Sequence, residues 1–358
     1  MTAASGALIP PTANPQLQTA LQEKLRFRHE VGGTFGELDA LAVRLGLIRN
    51  SLRPSFESAR IFVFAADHGL AVETMVGAAP HSTAAAVHDL LAERIPLGAF
   101  ARLQGMELTV VDSGVAQPVS PNARLLARKI AHGTRHSGAT AAMSLEQAHA
   151  AMRAGMEIGD ALGGDAVACA GIGLGSAHSA ALVLSCLSGT PVQEFVDWDA
   201  GMAADALERL LLVLEGARQR HGHLEDPVEL LAAVGGFEIA MMTGLMLAAA
   251  SRRRLILADG IPACAALLVA AAIAPAVPDY CIHVRSNKLV ALDRTLALLG
   301  ARAVHDLGID SVDGTGAALA WPLVRYAAAL LTEGVEPRVQ GAPQPATPSG
   351  GVGPLSQR

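Results

Sequence analysis

The sequence predicts an α/β fold: a mainly parallel sheet covered by helices on both faces. Three observations carry this. Short apolar or β-branched runs recur along the chain, each ends in Asp or Gly, and each is followed by an amphipathic or Ala-rich stretch of helical length. Continuous apolar strands, rather than alternating ones, are what a sheet buried on both sides requires.

Taken in order, residues 15–50 read as helical, interrupted by VGGTFGELDA, in which Gly32, Gly33 and Gly36 mark a turn and Thr34 is placed to cap the second helix. The strand runs are IFVFAADHG (61–69), LTVVDSGVA (108–116), AVACAGIGLGS (166–176), LILADGIP (255–262), DYCIHVRS (279–286) and AVHDLGI (303–309). In such sheets ligands bind at the carboxyl ends of the strands, which is where this chain puts its Asp, His and Gly residues. ASRRRL, the densest basic run, reads as a solvated helix end leading into a strand. IPACAALLVAAAIAPAV is the most apolar window; being Ala-rich and bounded by Pro, it reads as a buried helix and not a membrane span. From Val335 the chain is rich in Pro, Gly and Ser with little to bury, which predicts a disordered tail over 335–358.

Composition narrows the classes further. The chain has 358 residues, 51% of them apolar but only 3% aromatic, so its core is expected to be built from small, closely packing side chains. A net charge of −6, with no Lys/Arg cluster interleaved with aromatics, excludes a nucleic-acid surface. Cys169, Cys186, Cys264 and Cys281 sit in apolar runs without metal-ligand spacing and read as buried thiols in a reducing compartment. The opening MTAASGALIPPTANP is polar and broken by Pro, unlike a secretory leader. A cytoplasmic location is expected, with small-molecule partners and no membrane.

Several stretches have the residue types for chemistry. CAGIGLGSAHSAAL sets Gly171, Gly173 and Gly175 between a strand and a helix, where backbone N–H groups approach an anion or the chain simply packs tightly. The spacing is not GxGxxG. His178 is placed either to donate to a phosphate or to cap a neighbour. FAADHGLA puts Asp67 and His68 at a strand end, as acid/base machinery or as a cap for the loop's own amides; Asp112 and Asp259 share that ambiguity. RKIAHGTRH gathers Arg128, Lys129, His132, Arg135 and His136 around a Gly-Thr turn, a phosphate site or a solvated loop. Glu238 follows the Gly-Gly turn of VGGFEIAMMTG, where a carboxylate suits the start of a helix. SVDGTGAALA wedges Asp313 against glycines before an Ala-rich helix.

The series FAADHG, VVDSGV, KIAHGT, DPVELLAAVGGFEIA, LADG and DLGIDSVDGTGAALA, with GGTFGELD near the start, resembles the nicotinate-nucleotide–dimethylbenzimidazole phosphoribosyltransferase family over roughly residues 31–331. The resemblance implies a Rossmann-like domain over 51–310 and a small helical domain from both chain ends, 1–50 and 311–334. It also implies a homodimer, or a dimer with a homologue, and no metal or redox cofactor. The implied reaction moves phosphoribose from nicotinate mononucleotide to 5,6-dimethylbenzimidazole, giving the α-ribazole 5′-phosphate of the cobalamin lower loop. Asp313 stands where that family has a Glu before Gly-Thr-Gly, and so is the expected base, drawn back by about 1.5 Å for want of one methylene.

The resemblance assigns phosphate and ribose contacts to Gly171, Gly173, Gly175, Ser176, His178, Gly314, Thr315, Arg285 and Ser286. It assigns the aromatic-base pocket to Asp67, His68, Pro80, His81 and Ala85. Ligand motifs depart more than scaffold motifs do. The family's Gly-Glu-Met-Gly-Ile-Gly-Asn-Thr-Thr reads here from Ala170 to His178, and its Ser-His-Arg-Ser-Ala-Glu-Pro-Gly-His falls on CIHVRSNKLVA, keeping Arg285 and Ser286. A lysine of the family's phosphate side falls near Leu210. Two readings follow: a divergent transferase in which Ser176, His178 and Arg285 replace lost contacts, or a catalytically impaired paralogue acting as a partner subunit or nucleotide-binding regulator.

Overall fold

The computed structural model describes residues 9–71, 82–197 and 204–333. Pro80 and His81 of the expected base pocket, and the tail from Val335, lie outside the described residues.

The N-terminal region folds into α1 (Pro15–Gly32) and α2 (Glu37–Arg49). Asn14 caps α1 by accepting the Leu17 N–H, with Pro15 in the first turn. Thr34 does not cap α2. Its N-cap is Gly36, whose φ of 59° suits a residue without a Cβ, and Asp39 instead reaches back to accept the Phe35 N–H at 2.9 Å.

Six parallel strands follow: β1 (Ala59–Ala66), β2 (Glu107–Gly114), β3 (Leu125–Ala127), β4 (Ala166–Ile172), β5 (Leu255–Asp259) and β6 (Cys281–Val284), in the order β3-β2-β1-β4-β5-β6. Five of the six expected runs are strands. The run 303–309 is not, because only Ala303 bridges to His283, after which His305 and Asp306 turn their side chains to the Gly316 carbonyl and Arg285, and Gly308 takes φ 63°. The sixth strand is instead the three-residue β3, too short and too closely flanked by Arg to leave a periodic signal.

Between the strands lie α3 (Thr83–Leu91), α4 (Leu97–Leu103), α5 (Leu145–Ala161), α6 (Ser176–Ser188), α7 (Ala204–His221), α8 (Pro227–Val234), α9 (Phe237–Ser251), α10 (Ile261–Ile273) and α11 (Val290–Leu298). The last helix is α12 (Thr315–Thr332). Helix α9 packs against both α5 and α10, and α9 and α10 lie on β4 and β5; α12 packs onto β1, β5 and β6 together with α2 and α4. Every residue of β5 and β6 is buried, as two-sided coverage demands. The small-residue core is visible where α5 crosses α9: a Cβ at Gly155 or Gly244 would overlap the facing helix backbone.

The Ala-rich window is the buried helix α10, and no helix among the described residues is long and apolar enough to cross a membrane. The Arg252–Arg254 run is stapled rather than merely solvated. Arg252 pairs with Asp160, while Arg253 and Arg254 donate to the carbonyls of Ile48, Leu47 and Gly159. The four cysteines are free thiols; Cys169, Cys264 and Cys281 are buried and Cys186 half-buried.

Candidate active site

The strand order reverses between β1 and β4, and in an open α/β sheet the crevice outside the carboxyl ends at that point is where a ligand finds room. From the β1 side come Asp67 and His68; from the β4 side comes the Gly171–Gly175 loop. The loop lies directly on β1. Gly173 takes φ 149° and a Cβ there would overlap the Ala66 carbonyl oxygen, so any side chain forces the two strand ends apart. Gly173→Ala is expected to destabilise the protein by about 3 kcal/mol, from strain and overpacking together, with thermal melting as the check.

Asp67 and His68 do not form a dyad. Asp67 accepts from the Thr83 hydroxyl and from the Ala116 N–H, and Thr83 in turn accepts the Leu174 N–H, so this carboxylate ties β1, β2, α3 and the glycine loop together. His68 instead donates through Nε2 to Glu238 Oε1 at 2.8 Å, and Ser176 Oγ donates to the same oxygen at 2.8 Å. Glu238 is fully buried, and among the described residues its second carboxylate oxygen has no partner. Ser176 is thus turned toward Glu238. His178 lies on the first turn of α6, where burial and the nearby His68 lower its imidazole to about 4, leaving it neutral near pH 7. Ala85 is half-buried in α3 and its N–H donates to Ser82 at the helix cap.

The second cluster forms where β5, β6 and α12 meet. Asp259, fully buried at the end of β5, accepts through Oδ2 from Ser286 Oγ at 2.7 Å, from the Gly314 N–H at 2.8 Å and from the Ala317 N–H at 3.2 Å. Ser286 Oγ also accepts the Gly316 N–H at 2.6 Å, and the Thr315 hydroxyl donates to the Val312 carbonyl. The orphan amides at the start of α12 are therefore satisfied inside the protein, by Asp259, Ser286 and the Val312 carbonyl. Arg285 is likewise committed, to Asp293, Asp306 and the Asn287 carbonyl. Lys129 is held by Asp112 and the Val115 carbonyl, so the basic Gly-Thr loop serves as scaffold at that cation.

Asp313 projects from this cluster, half-buried, over Gly260, where a Cβ would overlap its carboxylate. Asn287 Nδ2 donates to Asp313 Oδ1 at 2.9 Å. Burial and the Asp259 charge push the Asp313 carboxyl well above the usual range, against the lowering by Asn287. Burial also raises the Asp259 carboxyl, against the lowering by its hydrogen bonds from Ser286, Gly314 and Ala317. Gly314 joins this cluster to the crevice: a Cβ on it would meet Val63 of β1 at 3.4 Å and Ala170 of β4 at 3.6 Å.

Sequence reasoning reads Glu238 as a helix-start carboxylate and does not single out Asn287. A lone acid in the otherwise apolar FEIAMMTGLMLAAA is the available signal for the first; none marks the second.

A family model described as phosphoribosyltransferase matches residues 10–337. The nicotinate-nucleotide–dimethylbenzimidazole phosphoribosyltransferases of Cupriavidus taiwanensis and Cupriavidus necator are each 38% identical to this chain. The matches cover 91% and 89% of this chain and 94% and 92% of those proteins. The crystal structure of the nicotinate-nucleotide–dimethylbenzimidazole phosphoribosyltransferase of Thermus thermophilus aligns at a TM-score of 0.81 and 27% identity, covering 89% of this chain and 96% of that one.

Proposed function

Since this chain belongs to the nicotinate-nucleotide–dimethylbenzimidazole phosphoribosyltransferase family, we propose that it moves phosphoribose from nicotinate mononucleotide to 5,6-dimethylbenzimidazole or a related aromatic base. The observation that carries the proposal is the place of Asp313, whose carboxylate lies over Gly260 just past the end of β5 and takes the Asn287 amide at 2.9 Å. As the bond from nicotinate nitrogen to the anomeric carbon breaks, positive charge develops on the sugar. The unprotonated nitrogen of the incoming base attacks the opposite face, and the proton on its other nitrogen must leave. Asp313 accepts it, giving nicotinate and the α-riboside.

The phosphoribose is assigned to the crevice over Gly171, Gly173 and Gly175, with His178 as its donor, and the base to the space between Asp313 and the His68 side. Asp67, Ser176, Arg285, Ser286, Gly314 and Thr315 act one step behind, holding these parts in place. The same proposal includes a small unit formed by the two chain ends, a homodimer and a cytoplasmic enzyme. The reading as an impaired paralogue draws no support from the relatives, which carry the transferase name.

The direct test incubates the protein with nicotinate mononucleotide and a panel of benzimidazoles, purines and phenols and looks for ribosylated product by mass spectrometry. No product with any base, and no mononucleotide binding at millimolar concentration, defeats the proposal. Transfer also has an expected pH dependence. The base acts as carboxylate, and because its pKa is raised it stays protonated to higher pH than an ordinary Asp at about 3.9. The acid limb of kcat is therefore expected to fall away well above about pH 4 as pH is lowered; a profile flat down to about pH 4.5 would count against Asp313 as the base.

A further inference from the structure

Two changes meet at one hydrogen bond. The resemblance puts Asp313 and Asn287 where that family's motifs have Glu and Ala, and the structure joins these side chains at 2.9 Å. The room available is tight, for the Asp313 carboxylate already lies against Gly260 on one side. A methylene has gone from one residue and an amide has been added to the other, and the amide touches the shortened acid.

The surroundings argue against a merely structural amide. Asn287 is only 9% exposed, and its side-chain oxygen Oδ1 is buried without a partner among the described residues. Leaving such an acceptor unmade costs about 1–3 kcal/mol, which a side chain retained for packing would not carry. The amide is held by the acid, and among the described residues the Asp313 carboxylate accepts its hydrogen bond from Asn287.

We propose that Asn287 is a positioning residue for Asp313: its amide fixes the direction of the carboxylate, and the two residues act as one unit. This rests on the transferase reading above. A general base must be set to within roughly an ångström of its proton, and a misplacement of that size costs about a hundredfold. An Asp without that donor has rotamer freedom that the donor removes.

The unit makes a reciprocal expectation. Asn287→Ala lowers kcat about tenfold with less change in KM for either substrate. Asp313→Glu alone also lowers it, because the added methylene runs into Gly260 and Asn287. The double variant, carrying Glu at 313 and Ala at 287, recovers to within about threefold of the native rate. Singles whose losses simply multiply in the double variant overturn the inference.

A second readout does not depend on turnover. In protein labelled with carboxyl-13C aspartate, the Asp313 signal is assigned by its loss in Asp313→Asn, and its titration is followed in native protein and in Asn287→Ala. The charged or titratable groups that face it are Asp259 at the end of β5 and Cys264 on α10, with His305 acting on Asp259 from the loop before α12. All of them are unchanged by the substitution. Loss of the donor is expected to move the midpoint up by about one pH unit. An unmoved midpoint overturns the inference even if the native protein is fully active. A moved midpoint in a protein that transfers to no base retires the transferase reading and leaves the pairing standing.

Discussion

Asp313→Asn is expected to lower kcat by about a thousandfold while leaving nicotinate mononucleotide binding within a few-fold of native. Removing a general base typically costs about 10²–10⁴ in rate, and the amide has no lone pair basic enough to take the ring proton. The substitution is nearly isosteric and removes one of two carboxyl groups raised by burial side by side, so the fold is not expected to suffer. Single-turnover mass spectrometry gives the rate and calorimetry gives the binding. If the variant retained a tenth of the native rate, the proton would have to leave by another route, and Asp313 would be reduced to one wall of the pocket.

Asp259→Ala is expected to lower the melting temperature by about 10 °C and to abolish transfer with it. The side chain holds three donors from two separate segments, Ser286 after β6 and the Gly314 and Ala317 amides at the start of α12. Buried donors left unmatched cost about 1–3 kcal/mol each, and the loss at this junction should total about 3–5 kcal/mol after relaxation. Ser286→Ala removes one hydrogen bond to Asp259 and the acceptor for the Gly316 N–H, so its loss should be about half as large. Differential scanning calorimetry of the two variants checks the order. Were Asp259→Ala to melt within about 3 °C of native, the seating of α12 would have to come from its apolar face alone.

These two acids show how differently neighbouring carboxylates can be legible. Asp259 and Asp313 are both followed by Gly in the sequence and both read as turn caps or catalytic groups. Only the fold separates them: Asp259 closes onto backbone amides of another element, whereas Asp313 takes one side-chain amide, from Asn287. The same holds for Ser286 and Thr315, whose hydroxyls serve α12, and for Arg285, whose charge is taken by two aspartates. Side-chain direction is set by packing across long sequence separations, and a motif does not record it.

Hydrophobic runs, turn residues and order along the chain suffice for the sheet, its two-sided coverage, the glycine loop after β4 and the carboxylate before Gly-Thr-Gly. All of these are local quantities, readable one stretch at a time. Packing is needed to learn that the strand order reverses between β1 and β4, that His68 pairs with Glu238 from 170 residues away, and that Asn287 reaches Asp313. Each of these depends on which buried polar groups are brought within hydrogen-bonding distance when distant segments close on one core, and that closure is a property of the packed whole rather than of any stretch in it.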